Sequence, residues 1–123
     1  MMKKRILIID DEKAFTHLVK SNLEDAGNFE VKIENSGLNA VKAALEFNPH
    51  LIFLDIVMPE TEGGSVASDL KAINELKHVP IIFLTGAVRE EELESGGHII
   101  GGHPFIAKPV STKRLVQVIE QYS

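Results

Sequence analysis

Two short apolar runs each end on aspartate, and this pattern constrains the fold of the chain more than any other feature. Residues 6–9 read Ile-Leu-Ile-Ile and precede Asp10-Asp11, and residues 51–54 read Leu-Ile-Phe-Leu and precede Asp55. Continuous runs of this kind are typical of central parallel strands that are covered on both faces. Ligands of open parallel sheets bind beyond the carboxyl ends of the strands, so the pattern predicts an acidic pocket at one sheet edge.

Three carboxylates in one pocket repel one another. Two unit charges about 4 Å apart, at an effective dielectric constant near 20, interact with ~4 kcal/mol. We therefore expect either a cation among Asp10, Asp11 and Asp55 or one carboxyl group that stays protonated.

The composition predicts one globular domain over residues 1–123, with 44% hydrophobic and 25% charged residues. A net charge of −5 argues against a nucleic-acid interface, which needs a clustered basic face. The apolar run behind the basic start is too short for a signal peptide, and no run is long enough to span a bilayer. Together with the lack of cysteine, these features favour a cytoplasmic protein.

Strand and helix patterns alternate along the chain, which predicts an α/β fold: a five-stranded, doubly wound parallel sheet with helices on both faces. Residues 29–34 alternate strictly between apolar and polar, so this second strand should lie at an edge, giving the order 2-1-3-4-5. The predicted strands are 6–9, 29–34, 51–54, 80–84 and 105–107, and the predicted helices are 12–26, 36–47, 64–76, one from Arg89, and 112–122.

Apolar spacing predicts which helix faces point inward. The first helix should bury Phe15, Leu18, Val19 and Leu23, with Gly27 as its C-cap. Ser36 should cap the second helix, which Pro49 then stops, and the third should bury Val66, Leu70 and Ile73.

In the order 2-1-3-4-5 the first and third strands are neighbours, so Asp10, Asp11 and Asp55 should share one crevice. Thr85 directly follows the fourth strand and Lys108 follows the fifth, which places both at the same edge. Mg²⁺ prefers one or two carboxylates together with waters and phosphate oxygens. A hydroxyl and an ammonium can bind the remaining oxygens of a phosphoryl group, and an aspartate can accept it as a nucleophile.

The joint pattern resembles a response-regulator receiver domain over essentially the whole chain, of the single-domain type found among chemotaxis and sporulation phosphorelay regulators. The residues that carry the resemblance are Asp10-Asp11, Asp55-Ile56-Val57-Met58-Pro59 followed by Gly63, Thr85-Gly86, and Phe105 ahead of Lys108-Pro109. The resemblance implies a flavodoxin-like fold. It also implies that Asp55 is the phosphoacceptor, that Asp11 binds Mg²⁺ or Mn²⁺ directly, and that Asp10 binds it mainly through water. The carbonyl group of Val57 would complete the metal's protein ligands.

The same resemblance implies roles for four residues on the later strands. Lys108 would contact the phosphoryl group, and Thr85 would move toward it on phosphorylation. Phe105 would swing inward as the second half of the switch, and the peptide bond before Pro109 would be cis.

A receiver of this kind is a phosphorylation-dependent signalling switch in a two-component system or phosphorelay. It would take its phosphoryl group from a sensor histidine kinase or a phosphotransfer protein and would catalyse its own phosphorylation and dephosphorylation without being a turnover enzyme. Nothing follows the last helix, so the chain either docks onto another protein or belongs to a larger regulator. The expected docking surface is the fourth helix, fifth strand and fifth helix, with no nucleic acid or membrane involved.

Two other functions compete with this reading. A Mg²⁺ phosphatase with an aspartate nucleophile would need a general acid two residues after Asp55, where the chain has Val57. A pseudo-receiver could serve as an unphosphorylated binding scaffold. Nucleotide-binding doubly wound folds are disfavoured because no G-x-G-x-x-G follows the first strand and no P-loop exists.

Three features depart from the usual receiver pattern. Gly96-Gly97 should weaken or shorten the helix from Arg89, since each interior glycine costs about 1 kcal/mol relative to alanine. Phe105 stands where tyrosine is frequent, so its inward packing leaves no hydroxyl to satisfy. Val57 and Ala87 offer no acid or amide to position an attacking water, which predicts slow self-dephosphorylation.

Overall fold

A computed structural model describes residues 3–58, 63–86, 99–100, 103–108 and 110–123. Its strands are β1 (Lys4–Ile9), β2 (Phe29–Glu34), β3 (Leu51–Asp55), β4 (Ile81–Thr85), β5 (Ile99–Ile100) and β6 (His103–Ala107). Its helices are α1 (Lys13–Ala26), α2 (Ala40–Phe47), α3 (Gly63–Lys71) and α4 (Thr112–Tyr122), and a 3₁₀ turn at Gly37–Asn39 precedes α2.

The sheet has the strand order β2-β1-β3-β4-β6-β5. All pairings from β2 through to β6 are parallel, so the predicted order 2-1-3-4-5 is confirmed, with β6 as the fifth predicted strand. The two-residue strand β5 was not predicted, and it pairs antiparallel with β6. It lies in the glycine-rich stretch and places Ile99 and Ile100 in a strand instead of a helix, while the predicted helix from Arg89 lies outside the described residues.

The apolar strand runs supply two cores, one on each face of the sheet. Leu7 and Ile9 pack with α2 and α3, whereas Ile6 and Ile8 pack with α1 and α4. Side chains that alternate along β1 are therefore all buried, because a sheet with helices on both faces leaves neither face in water. By contrast, β2 alternates buried Phe29 and Val31 with exposed Glu30, as expected of an edge strand.

One prediction about α1 is wrong and another is confirmed. Leu18 is exposed, because the buried face contains Thr16, Val19 and Leu23 and, at about 100° per residue, Leu18 points well away from it. Gly27 is the C-cap of the helix, as predicted, and its backbone is extended with φ 179°. What favours glycine there is space, since an added Cβ would lie 3.2 Å from the ring of Phe29.

The second and third predicted helices differ from expectation at their ends, whereas the predicted helix 112–122 is confirmed as α4. Ser36 caps the 3₁₀ turn through a hydrogen bond from the Leu38 N–H, and α2 begins only after that turn. The predicted third helix stops at Lys71, whose ammonium donates to the carbonyls of Lys77 and Val79 and so fixes the turns that follow. Val66 and Leu70 are buried as predicted.

Among the described residues, no helix has both the length and the apolar character needed to cross a membrane.

Candidate functional site

The strand registers bring the predicted acidic residues together. Ile9 pairs with Leu54. Asp10, which directly follows β1, therefore lies beside Asp55, the last residue of β3. Asp55 pairs in turn with Leu84, which places Thr85 one step beyond it at the end of β4. The pocket predicted from the two aspartate-terminated runs therefore forms at the carboxyl edge of the sheet.

The three carboxylates lie close enough to share one cation. Asp10, Asp11 and Asp55 each offer an oxygen atom within 4.8 Å of the others. Asp10 is fully buried and Asp55 is 5% exposed, while Asp11 is half-buried. Unlike an exposed acidic cluster, these groups have given up much of their hydration, which raises the free energy of their charged forms.

Lys108 is the cation that the structure places among these acids. Its Nζ lies 2.7 Å from Asp10 Oδ2 and 3.8 Å from Asp55 Oδ2, and it donates a 2.7 Å hydrogen bond to Glu12 Oε1. The backbone N–H of Lys108 also donates to the Thr85 carbonyl at 2.8 Å, which anchors the end of β6 to β4. The backbone of Lys108 is thus fixed by its hydrogen bond to Thr85, and its ammonium is held by the carboxylates of Asp10 and Glu12.

The electrostatic balance of the pocket appears in two pKa shifts. Burial, followed by the nearby charge of Asp10, raises the pKa of the Asp55 carboxyl to about 6. The charge of Lys108 and the hydrogen bond from the Val57 N–H lower this pKa but do not cancel the increase. Burial alone lowers the pKa of Lys108, but its contacts with the carboxylates of Asp10 and Glu12 outweigh burial and raise it overall. One lysine therefore only partly neutralises the acids, and Asp55 still carries unrelieved repulsion.

The backbone around the carboxylates is held by specific hydrogen bonds. Asp10 Oδ1 accepts from the Glu12 N–H at 2.9 Å, and Asp55 Oδ1 accepts from the Val57 N–H at 3.2 Å. The amide of Asn35, beyond β2, donates to the Asp10 carbonyl at 2.7 Å and to the Thr16 hydroxyl at 3.1 Å. These contacts fix the loop after β1, so the pocket is largely formed before any ligand enters.

The residues present fit a hard divalent cation. Asp10 Oδ2 is buried, and its close partner in the described part of the chain is the ammonium of Lys108 at 2.7 Å. Because a carboxylate oxygen can accept more than one contact and the three acids outnumber the lysine, the carboxylates supply the oxygen donors that Mg²⁺ prefers. Asp10, Asp11 and Asp55 would hold the ion; the role of the Val57 carbonyl stays a prediction.

The two predicted switch residues are both buried. Thr85 is 2% exposed and Phe105 is 4% exposed, the latter within the core cluster that contains α2 and α3. Phe105 thus occupies an inward position without a phosphoryl group. Pro109 and Ala87, to which the sequence assigned a cis peptide and a flanking position, lie outside the described residues.

Sequence reasoning missed three residues that contact the site. Glu12 binds Lys108, the ring of Phe15 lies 4.5 Å from Lys108 Nζ, and Asn35 holds the Asp10 carbonyl. Glu12 and Phe15 are one helical turn apart and close in sequence to the acidic pair, which signals proximity to the site but not their contacts with Lys108. Asn35 gave none, because its contact depends on how β2 lies beside β1.

Comparison with known proteins agrees with this geometry. Residues 6–120 match the response regulator receiver domain. The chain is 34% identical over 124 residues to the polar-differentiation response regulator DivK of Brucella ovis, covering 98% of this chain and 97% of the relative, and equally similar to DivK of Brucella abortus strain 2308.

Solved structures of two receivers share the fold. The Vibrio cholerae chemotaxis protein CheY4 superposes with a TM-score of 0.84 at 24% identity, covering 98% of this chain and 99% of that one. The receiver domain of sensor histidine kinase PA1611 from Pseudomonas aeruginosa has a TM-score of 0.82 at 22% identity, covering 98% and 97%, and carries a magnesium ion in its active site cleft. The chain therefore belongs to the response regulator receiver domain family.

Proposed function

We propose that the chain is a phosphorylation-operated switch that takes a phosphoryl group from a histidine kinase or a phosphotransfer protein onto Asp55. Receiver domains act in two-component signalling as switches and not as turnover enzymes. The observation that carries the proposal is the cluster of Asp10, Asp11 and Asp55 oxygens within 4.8 Å, with the Lys108 ammonium beside it. We propose a single domain over residues 1–123 that works in the cytoplasm, where ATP charges the donor kinase.

The transfer follows from the chemistry of the carboxylate. An Asp55 oxygen attacks phosphorus, the bond from phosphorus to the donor histidine nitrogen breaks, and the nitrogen keeps the electron pair and takes up a proton. Burial and Asp10 raise the pKa of Asp55 to about 6, so at neutral pH the carboxylate is mostly ionised yet poorly stabilised. Bound Mg²⁺ would neutralise the carboxylates and the phosphoryl oxygens, and Asp10, Asp11, Asp55 and the Val57 carbonyl would hold it.

Lys108 and Thr85 would then bind the phosphoryl group on Asp55. The ammonium would bind a phosphoryl oxygen as a point charge, and the Thr85 hydroxyl would donate to another. Phe105 and Thr85 lie on neighbouring strands that the Lys108 N–H joins at the Thr85 carbonyl, so movement at one is passed to the other. We propose that this change reaches a downstream protein through the surface formed by the region from Arg89, β6 and α4.

Val57 favours a long-lived phosphoprotein. Its side chain is 63% exposed and sits two residues after the phosphoacceptor, where it has no polar group to orient a hydrolytic water. We therefore propose slow self-dephosphorylation, with a lifetime well above seconds in Mg²⁺.

Intact-protein mass after incubation with acetyl phosphate tests the proposal. Wild-type protein should gain one phosphate-sized increment only with Mg²⁺, and Asp55→Ala should gain none. The matched control is Asp25→Ala, which removes an exposed aspartate near the far end of α1 and should keep the full gain. No gain in wild-type protein with Mg²⁺ would favour the unphosphorylated scaffold instead.

A further inference from the structure

The ammonium of Lys108 contacts one carboxylate inside the phosphorylation pocket and one outside it. It lies 2.7 Å from Asp10 Oδ2 in the pocket, donates to Glu12 Oε1 at 2.7 Å, and stands 3.8 Å from Asp55 Oδ2, beyond hydrogen-bond reach of the proposed phosphoacceptor. A lysine that would contact a phosphoryl group on Asp55 is therefore held in part by Glu12, a carboxylate outside the pocket.

Among the described residues, the side chain of Glu12 makes its hydrogen bond with Lys108 and not with the start of its own helix. It occupies the N-cap position of α1, where side chains commonly accept from the first helical N–H groups, yet it makes no capping hydrogen bond. Its side chain is 60% exposed and instead reaches across to the end of β6, 96 residues away in sequence.

Phe15 adds a second contact from the same helix. The Lys108 Nζ lies 4.5 Å from the centroid of the Phe15 ring, within the range of a cation–π interaction. Because Phe15 follows Glu12 by three residues, both side chains rise from the first turn of α1 on neighbouring positions. Together they form a seat for the ammonium next to the pocket.

We propose that Glu12 is a positioning residue that competes with the phosphoryl group for Lys108, so that phosphorylation must draw the lysine away from α1. This inference rests on the proposed function of Asp55 as phosphoacceptor. Removing the Glu12 carboxylate should leave Lys108 held on the pocket side, by Asp10, and strengthen binding at Asp55. The pair is exposed on the Glu12 side, so we expect about a 2- to 5-fold effect, the range of exposed ion pairs.

Beryllofluoride, a non-covalent mimic of a phosphoryl group, gives a direct readout. Its dissociation constant is measured by NMR titration at Mg²⁺ concentrations that saturate each variant. Glu12→Gln should bind it about 2- to 5-fold more tightly than wild-type protein, whereas damage to the fold would weaken binding. Glu46→Gln is the matched control. Glu46 is an exposed acid outside the pocket, and its carboxylate lies 3.9 Å from the ammonium of Lys32. The Glu46→Gln variant should bind beryllofluoride as wild-type protein does.

Glu12→Asp separates positioning from simple charge. It keeps a negative charge beside the pocket but withdraws the carboxylate by one methylene, so it should bind beryllofluoride as tightly as Glu12→Gln. Wild-type affinity in Glu12→Asp, or unchanged or weaker affinity in Glu12→Gln, would overturn the inference. If wild-type protein gains no mass from acetyl phosphate, both the proposed function and the competition for Lys108 fail. If wild-type protein gains the phosphate mass but the Glu12 variants bind beryllofluoride as described for failure, the competition alone fails.

Discussion

The two ends of the parallel strands differ in how well their polar groups are paired; we call them the amino edge and the carboxyl edge of the sheet. At the amino edge, the Arg5 N–H donates to His50 Nδ1 at 2.9 Å, the His50 N–H returns a bond to the Arg5 carbonyl at 2.8 Å, and Arg5 Nε donates to the Asn48 carbonyl at 2.8 Å. At the carboxyl edge, three carboxylates meet one lysine, and Asp55 keeps a raised pKa. The amino edge pairs its donors and acceptors, whereas the carboxyl edge leaves repulsion among its carboxylates that a bound cation would relieve.

The largest test of this contrast is the response of stability to Mg²⁺. At a Mg²⁺ concentration one hundred times its dissociation constant, the free energy of unfolding should rise by about 2.7 kcal/mol. Asp10→Asn should lose most of this gain because it removes a buried ligand charge. Urea denaturation at neutral pH with and without Mg²⁺ measures it.

Arg5→Ala serves as the control at the other edge. It should lower stability in both conditions but keep the full Mg²⁺ increment, since its contacts lie with Asn48 and His50. An equal Mg²⁺ increment in Asp10→Asn would show that the ion binds elsewhere.

The next test concerns the cost of the buried Asp55 charge when no metal is bound. Burial, together with repulsion from Asp10, raises the pKa of Asp55 from 3.8 to about 6 in the folded protein, so the folded state binds more protons between those values. Stability therefore falls as the pH rises through this window. Asp55→Asn should raise the free energy of unfolding at pH 7 by roughly 1–3 kcal/mol, at 1.36 kcal/mol per pKa unit.

Denaturation in EDTA at two pH values checks that prediction. The gain from Asp55→Asn should shrink near pH 4, where the carboxyl of the folded wild-type protein is protonated and that of the unfolded chain is about half protonated. Asp25→Asn, at an exposed position, should show little change at either pH. A gain that is the same at both pH values would mean that packing and not charge is responsible.

The carboxyl edge was more predictable than the rest of the fold. Each of its main residues follows an apolar run: Asp10, Asp55, Thr85 and Lys108. Because the strands are parallel and neighbouring, their carboxyl ends bring these residues to the same edge of the sheet. Leu18 was misassigned because apolarity alone did not reveal that Thr16 takes its place on the buried face of α1.

The contacts made by long side chains were not predictable. Glu12 and Lys108 are 96 residues apart, and their pairing depends on how α1 begins relative to the end of β6. The strand at Ile99–Ile100 likewise depends on pairing with β6 and not on any local signal strong enough to outweigh the surrounding glycines. Register and topology follow from patterns, whereas the choice of partner among several charges follows from side-chain geometry.

The smallest test returns to the amino edge, where His50 should give a pH slope opposite to that of Asp55. Burial, with help from Arg5 and Lys4, lowers the pKa of His50 below 6.5. Its Nδ1 accepts the Arg5 N–H only when unprotonated, so the unfolded state binds more protons and stability falls as the pH drops through 6.5. His50→Ala should cost about 0.5–1.5 kcal/mol at pH 7.5, the worth of one hydrogen bond.

His50→Asn is the matched control, because its side-chain oxygen can still accept the Arg5 N–H but does not titrate. Its stability should stay within about 0.5 kcal/mol of wild-type protein at pH 7.5, and the difference in stability between pH 7.5 and pH 5.5 should become smaller. The comparison of edges would fail if His50→Asn kept the wild-type pH slope, because the amino edge would then carry no titrating contact. If the slope disappears while that of Asp55 persists in the same metal-free buffer, the two edges are shown to respond to protons with opposite sign, one through a satisfied acceptor and the other through unrelieved charge.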